Sequence, residues 1–233
     1  ISDLGWKSKV KLKDGLKITY EAFKKDGVRR ERIDAKILSN NGVHPKLESN
    51  EVFKKFKYPL VRSSWDEQEY EAIQAVIRSD NFTMGLRVAE FEKKFANYIG
   101  SRFAIMSNSG SSANLLMVAS LFYRKSNRLK EGDEVIVPAV SWSTSFIPLY
   151  QYGLKLKFVD IDLNTLNYNL NDLKKAVSQK TKLILAVNLL GNSNNFDSIK
   201  KIIGNRKIIL IEDSCQAMGA EFNGKKTGTF GIL

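Results

Sequence analysis

The sequence predicts an α/β fold, with a mostly parallel sheet that carries helices on both faces. Short continuous apolar runs have the length and aliphatic content of buried strands, and segments with helical spacing separate them. Parallel strands are covered on both faces and are joined by helical crossovers, which produces this alternation. The predicted strands cover residues 103–107, 133–138, 155–161, 182–188 and 207–213.

Helical segments precede and separate these strands. The first, 65–79, places Tyr70 and Ile73 on one apolar face, and the second, 88–100, ends at Gly100. The other predicted helices cover residues 111–124, 143–153, 169–177 and 196–204.

Three segments are predicted along the chain. Residues 1–25 have the pattern of a turn followed by a helix, and residues 26–57 form a polar linker. Residues 58–233 contain the α/β domain. Because the chain begins with isoleucine and ends on GTFGIL, we expect it to be a fragment of a longer protein.

Composition excludes several classes of function. The net charge is +12, and the first 60 residues hold 15 Lys and Arg against 8 Asp and Glu, but no nucleic-acid-binding motif accompanies this charge. No apolar run approaches the length of a membrane span, and no metal-ligand spacing is present. The single cysteine, Cys215, cannot form an internal disulfide, so a cytosolic location is expected. We therefore predict no nucleic-acid partner, no membrane association and no metal.

Ligands of open α/β sheets bind outside the carboxyl ends of the strands, where SNSGSSANLLM follows the first predicted strand. Gly110 permits close backbone approach, and Ser111 and Ser112 offer hydroxyls and amides in the first helical turn. The segment is therefore either a phosphate site or a turn with a serine N-cap. It has neither of the glycine patterns of dinucleotide-binding and P-loop proteins.

Three further side chains follow strands at the same predicted edge. Trp142 could cover a flat ring or pack on the surface, and Asp213 could bind a cationic ring nitrogen or cap a helix. Gln216 could reach the same ligand, whereas Glu212 alternates to the other side of the strand and is predicted to be structural. A phosphate, a flat ring and a basic ring nitrogen together describe pyridoxal phosphate.

The stretches SGSSANLL, PAVSWST, FVDID and IEDSCQAMGAEFNGKKTGTFG resemble the DegT/DnrJ/EryC/StrS family of sugar-nucleotide aminotransferases and dehydratases. The resemblance covers residues 58–233. It implies the large domain of a fold type I transferase dependent on pyridoxal or pyridoxamine phosphate, truncated at its C-terminus. The cofactor-binding residues it implies are Gly110 and Ser111 at the phosphate, Trp142 on the ring, Asp213 at the ring nitrogen, and Gln216 near the cofactor.

Within the family, SSWDEQEYEAIQAVIRSDNFTMG, VPAVSWSTSF and VNLLGNSNNFD are most similar to the sugar 3-dehydratases of deoxysugar biosynthesis. This resemblance implies a GDP-linked 4-keto-6-deoxy sugar as substrate, glutamate as amine donor and a homodimer. The discriminating residue, histidine in 3-dehydratases and lysine in aminotransferases, is expected beyond Leu233. The chain itself would then contain no catalytic residue and be inactive alone.

Two other functions stay open at this point. At the position of Gln216 the aminotransferases carry glutamine, whereas we expect an acidic residue in the dehydratases, so a sugar aminotransferase is the first alternative. A non-catalytic binding or scaffold protein is the second.

The first 25 residues carry a separate resemblance. LGWKSKVKLKDGLKITYEAF is similar to the C-terminal tail of extended short-chain dehydrogenases, in particular to epimerase/reductases of nucleotide sugars. It implies a fused polypeptide, and the alternative is an unrelated helical extension.

Overall fold

The computed structural model describes residues 64–83 and 85–233. The chain divides into two units, Ile1–Tyr70 and Glu71–Leu233, and the second unit carries the fold. Two of the predicted segments lie outside the described residues: 1–25 and 26–57.

Helices and strands alternate along the described part of the chain. The helices are α1 Glu67–Arg78, α2 Leu86–Ile99, α3 Gly110–Phe122, α4 Ser143–Gln151, α5 Leu170–Ala176 and α6 Phe196–Ile203. The strands are β1 Glu134–Pro138, β2 Lys155–Val159, β3 Thr181–Val187, β4 Ile209–Asp213, β5 Glu221–Phe222 and β6 Lys225–Lys226. A short 3₁₀ turn, Leu189–Gly191, follows β3.

The first four strands form one parallel sheet in the order β2-β1-β3-β4. In its registers Val135 lies beside Leu156 and Leu183, and Leu185 lies beside Ile211. The parallel arrangement and the four strands after residue 130 are confirmed. β5 and β6 form a separate antiparallel hairpin beyond the sheet.

Alternate side chains of each strand enter two different apolar clusters, one on each face of the sheet. Val135 and Leu185 belong to the cluster of α3 and α4, whereas Ile136 and Ala186 belong to that of α5 and α6. This period of two is the reason why a sheet buried on both faces needs continuous apolar strands. The prediction of helices on both faces is confirmed.

A hydrogen bond from Tyr168 connects the loop before α5 to the sheet. Its hydroxyl donates to the carbonyl oxygen of Leu185 at 2.6 Å. Burial raises the pKa of this phenol well above its ordinary value, so it stays a hydrogen-bond donor at any physiological pH.

The strand predicted at 103–107 is wrong, because these residues form no strand and pair with none of the described strands. Phe103 and Ile105 are 72% and 73% exposed. A strand requires the backbone hydrogen bonds of a neighbour, and an apolar run cannot reveal whether that neighbour is present.

Side chains determine where the helices begin. Ser109, Asn169 and Asn195 each accept a hydrogen bond from an amide in the first turn of the helix that follows. Gly100 ends α2 as predicted. Among the described residues, no helix combines the length and the apolar character that a membrane span needs.

Candidate active site

Asp213 ends β4 as a buried carboxylate at the carboxyl edge of the sheet and is 5% exposed. Its Oδ2 accepts hydrogen bonds from the Ser145 hydroxyl at 2.7 Å and from the Asn114 amide at 2.9 Å. Its Oδ1 accepts one from the backbone N–H of Cys215 at 3.1 Å. Burial raises the pKa of this carboxyl, but these hydrogen bonds outweigh burial and hold it below its ordinary value of 3.8. Asp213 is therefore ionised at neutral pH.

The charge of Asp213 has room for a further partner. No ion pair among the described residues includes it. Its Oδ2 accepts two hydrogen bonds from side chains and its Oδ1 accepts one from the backbone of Cys215, whose thiol also hydrogen-bonds to the carboxylate. A thiol is only a weak donor. A cationic N–H donor forms a stronger hydrogen bond with a carboxylate than a neutral donor does, so it could take the place of this thiol. The predicted helix-cap role of Asp213 is not observed, because the residues after it form a turn.

The amino end of α3 presents unused backbone donors. Ser109 caps the helix, and its hydroxyl oxygen accepts from the amide of Ser112 at 3.1 Å. No acceptor among the described residues receives the amides of Gly110 and Ser111. The serine cap and an anion site therefore coexist, since the cap uses the third amide and leaves the first two free.

Two contacts bring these amides close to Asp213. Asn114, one turn further along α3, donates to the Asp213 carboxylate. A Cβ atom placed on Gly110 would lie 3.9 Å from that of Cys215, two residues after Asp213. The amino end of α3 therefore lies over the turn that follows β4.

Trp142 precedes the first residue of α4 and is 67% exposed. Ser145, three residues later, donates to Asp213 and so fixes the first turn of α4 against the end of β4. An indole with this exposure does not pack in the core of the described domain. Its open surface is the one that a flat ring could cover.

Gln216 is exposed on the turn after Asp213, and its side-chain oxygen accepts from the backbone N–H of Leu190 at 3.0 Å. This bond ties the turn after β4 to the one after β3. The oxygen is thus held by the protein, and the side-chain amide nitrogen remains for a ligand.

Glu212 points away from Asp213, as alternation along the strand requires. Its carboxylate accepts from the backbone N–H groups of Gly228, Phe230 and Gly231 at 2.7, 2.5 and 2.6 Å. The predicted structural role of Glu212 agrees with these bonds.

Sequence reasoning missed the two side chains that hold Asp213, Asn114 and Ser145. Both are buried polar residues in helices whose neighbours in the core are apolar. The available signal was their helical spacing: Asn114 follows Gly110 by four residues, and Ser145 follows Trp142 by three.

A cavity of about 370 Å³ lies elsewhere, between the loops after β2 and β3, and is lined by polar residues that include Asp162, Asn167 and Ser193. None of the five predicted cofactor residues lines it. The candidate site is instead an open edge formed by α3, α4 and the end of β4. No cluster of metal-binding side chains occurs in the part of the chain that the structure describes.

Residues 63–233 match the model of the DegT/DnrJ/EryC1/StrS aminotransferase family. GDP-4-keto-6-deoxy-D-mannose 3-dehydratase of Escherichia coli O55:H7 is 61% identical over 176 residues, which are 76% of this chain and 45% of that protein. The protein of the same name from Yersinia pseudotuberculosis is 57% identical over 176 residues, with the same coverage of 76% and 45%. The chain thus spans slightly less than half the length of these relatives.

The solved structure of the E. coli 3-dehydratase with bound hydrated PLP is similar to this one, with a TM-score of 0.74 and 62% identity. The similarity covers 75% of this chain and 45% of that chain. The predicted fold class, the large domain of a fold type I PLP-dependent transferase, is confirmed.

Proposed function

We propose that the full-length protein is a GDP-4-keto-6-deoxy-D-mannose 3-dehydratase that uses pyridoxal or pyridoxamine phosphate. The premise is that the chain belongs to the DegT/DnrJ/EryC1/StrS aminotransferase family. The observation that carries the cofactor class is Asp213, a buried carboxylate kept ionised with no cationic partner among the described residues. The identity of 61% to the E. coli dehydratase supports the reaction within the family.

The donor set of the site fits this cofactor. The free amides of Gly110 and Ser111 at the amino end of α3 suit its phosphate. The exposed indole of Trp142 suits one face of its ring, and the ionised carboxylate of Asp213 suits the ring N–H. Gln216 offers a side-chain amide next to this edge. These five residues are the proposed cofactor-binding set.

Asp213, Trp142 and the α3 amides have distinct tasks in the proposed reaction. When bound, the cofactor would supply an amine for the C4 ketone of the sugar and a cationic ring able to take up electrons as the C3 oxygen departs. Asp213 keeps a proton on the ring nitrogen, because its own low pKa leaves the carboxylate charged. Trp142 shields one face from water, and the α3 amides anchor the opposite end. Glutamate is the proposed amine donor, and the residue that moves protons is expected beyond Leu233.

The test is product analysis with the purified full-length protein, the cofactor, glutamate and GDP-4-keto-6-deoxy-D-mannose. A dehydratase yields a sugar that has lost its C3 oxygen and kept the C4 ketone, with release of ammonia and 2-oxoglutarate. Mass spectrometry and NMR of the product distinguish this outcome. A protein with no cofactor absorbance, and no spectral change with glutamate, would contradict any enzymatic role and favour a scaffold.

Gln216 favours a second candidate, a nucleotide-sugar aminotransferase such as a perosamine synthase. Its side-chain oxygen is held by Leu190, so the residue is ordered at the site edge, and the resemblance associates glutamine here with aminotransferases. The same assay decides between the two, because an aminotransferase product retains the C3 oxygen and carries nitrogen at C4.

A homodimer in the cytosol completes the proposal. Leu86, Phe103 and Ile105 are 86%, 72% and 73% exposed. Large apolar side chains with this exposure favour burial in an interface with further protein. Light scattering of the full-length protein would report the mass of the assembly, and a monomer would contradict the dimer.

A further inference from the structure

The carboxylate of Glu212 holds a backbone loop and no cation. Glu212 is 6% exposed, and no ion pair of the described residues includes it. Its Oε1 accepts from the backbone N–H groups of Phe230 and Gly231. Its Oε2 accepts from that of Gly228 at 2.7 Å and, at 3.5 Å, from the side-chain amide of Asn188. Three short bonds from one loop to one charge are charge-assisted and constrain the loop strongly.

The loop 228–231 is shaped to reach this carboxylate. Gly228 has a φ of +87°, a left-handed conformation that favours glycine. A Cβ atom on Gly231 would lie 2.8 Å from the carbonyl oxygen of Leu210, so only glycine lets the chain approach β4 this closely. Beyond the loop, the N–H of Ile232 donates to the Leu210 oxygen at 2.9 Å. Gly231 and Ile232 therefore lie along the edge of β4 that none of the described strands occupies.

The same loop lies next to the candidate site. A Cβ atom on Gly228 would be 3.8 Å from the hydroxyl oxygen of Ser214, which directly follows Asp213. The backbone N–H of Glu212 donates to the carbonyl oxygen of Leu233 at 3.1 Å. The chain after the loop therefore contacts β4 one residue before Asp213. An interaction that holds the loop 228–231 in place therefore also holds the residues after it at this edge of the sheet.

We propose that Glu212 is a positioning residue for the reaction: through the amides of Gly228, Phe230 and Gly231 it sets where the chain after the loop stands relative to Asp213. The inference rests on the proposed function, in which the proton-transferring residue follows this loop. Glu212 and Asp213, one residue apart on opposite faces of β4, then align two different parts of one site. Misplacing a reacting group by about 1 Å costs on the order of 100-fold in rate.

The first experiment is Glu212→Gln in the full-length holoenzyme. The variant keeps the size of the side chain but turns one acceptor into a donor that faces backbone N–H groups. We expect kcat to fall about 10- to 100-fold, while cofactor absorbance and the KM for the sugar nucleotide stay close to wild type. Glu221→Gln, on the exposed hairpin strand β5, is the matched control and should leave kcat unchanged. Unchanged kcat in Glu212→Gln overturns the inference, as does a loss of bound cofactor equal to the loss of activity.

A second variant displaces the loop without altering any charge. Gly231→Ala puts a methyl group against the Leu210 oxygen, and we expect the same fall in kcat with the cofactor retained. Full activity in Gly231→Ala would contradict a positioning role even if Glu212→Gln proved unable to fold.

A third measurement requires no activity. Hydrogen exchange of the amides of Gly228, Phe230 and Gly231 should be protected in the wild type and faster in Glu212→Gln. A wild-type protein without turnover would fail the proposed function, whereas unchanged exchange in the variant would fail this inference alone.

Discussion

Asp213 and Glu212 are consecutive buried carboxylates at the end of β4, and none of the described ion pairs includes either. Asp213 is held by side chains of two helices, Asn114 and Ser145, and by the backbone N–H and the thiol of Cys215. Glu212 is held by three backbone amides of the loop 228–231 and, at 3.5 Å, by the side-chain amide of Asn188. One carboxylate is thus open to a ligand, and the other is closed by a loop.

The difference shows that burial alone does not identify a ligand-binding carboxylate. Asp213 is 5% exposed and Glu212 is 6% exposed. What distinguishes them is the kind of partner. Asp213 is held by two side chains of neighbouring helices and by one residue of the following turn, whose thiol is only a weak donor. Glu212 is enclosed by three backbone amides of one loop and by the Asn188 amide. The four predictions below test this distinction, beginning with the largest expected effect.

Removing the charge of Asp213 should abolish most activity. In the full-length protein, Asp213→Asn should lower kcat/KM by about 100- to 1000-fold, because a neutral amide cannot hold a cationic ring nitrogen protonated. Steady-state kinetics with the sugar nucleotide measure this change. Asp172→Asn, an exposed carboxylate of α5 paired with Lys175, is the control and should change the rate less than twofold. Activity within twofold of wild type in Asp213→Asn would contradict the assignment of the ring partner.

Removing the carboxylate of Glu212 should also lower stability. Glu212→Ala leaves three backbone N–H groups without their acceptor, and each buried unsatisfied group costs about 1–3 kcal/mol. We expect the free energy of unfolding in urea to fall by at least about 3 kcal/mol. Glu221→Ala, at an exposed position, should change it by about 0.5 kcal/mol or less. Equal effects of the two variants would show that the loop does not depend on Glu212.

The reactivity of Cys215 should report the charge of Asp213 but not that of Glu212. Burial, and then the hydrogen bond and charge of Asp213, raise the pKa of this thiol from 9.0 to about 11. At pH 8 it should hold about 100-fold less thiolate than a thiol of ordinary pKa, and alkylation by iodoacetamide should be slow in proportion. Asp213→Asn should accelerate alkylation, whereas Glu212→Gln should not, because Glu212 faces the other side of β4. Acceleration by both variants would indicate general loosening of the turn.

Ser145→Ala should produce a smaller effect that depends on pH. The pKa of Asp213 is lowered in the folded protein, so the unfolded chain binds more protons between that pKa and 3.8. The stability that this group contributes is therefore complete above pH 3.8 and is lost as the pH falls through the folded pKa. Without the Ser145 hydroxyl, the free energy of unfolding should be about 1.5 kcal/mol lower at pH 7, and the difference should shrink in acid.

Urea unfolding over a pH series measures this dependence. Ser120→Ala is the matched control, since this exposed hydroxyl bonds only within its own helix among the described residues. A Ser145→Ala difference that stays constant at every pH would assign the residue to packing and not to the charge of Asp213.

Periodicity located most of the elements. The helices predicted from residue 65 onward and the four strands of the sheet agree with the structure within two residues at each end. The reason is physical: both faces of the sheet are buried, so each strand must be continuously apolar, and each helix must carry one apolar face. The failure at 103–107 has the converse reason, because exposure and pairing depend on neighbours that a local pattern does not contain.

The sequence by itself determined the α/β class, the strand that ends in Asp213, and the glycine and serine residues at the start of α3. These follow from local pattern, and the resemblance over residues 58–233 added their roles. Only the tertiary structure decided that Asn114 and Ser145, 99 and 68 positions from Asp213 in the chain, hold its carboxylate. It also decided that Glu212 closes on the loop 228–231 while its neighbour stays open. Hydrogen bonds between distant segments depend on how helices and strands pack, and packing brings together residues whose spacing in the sequence carries no period.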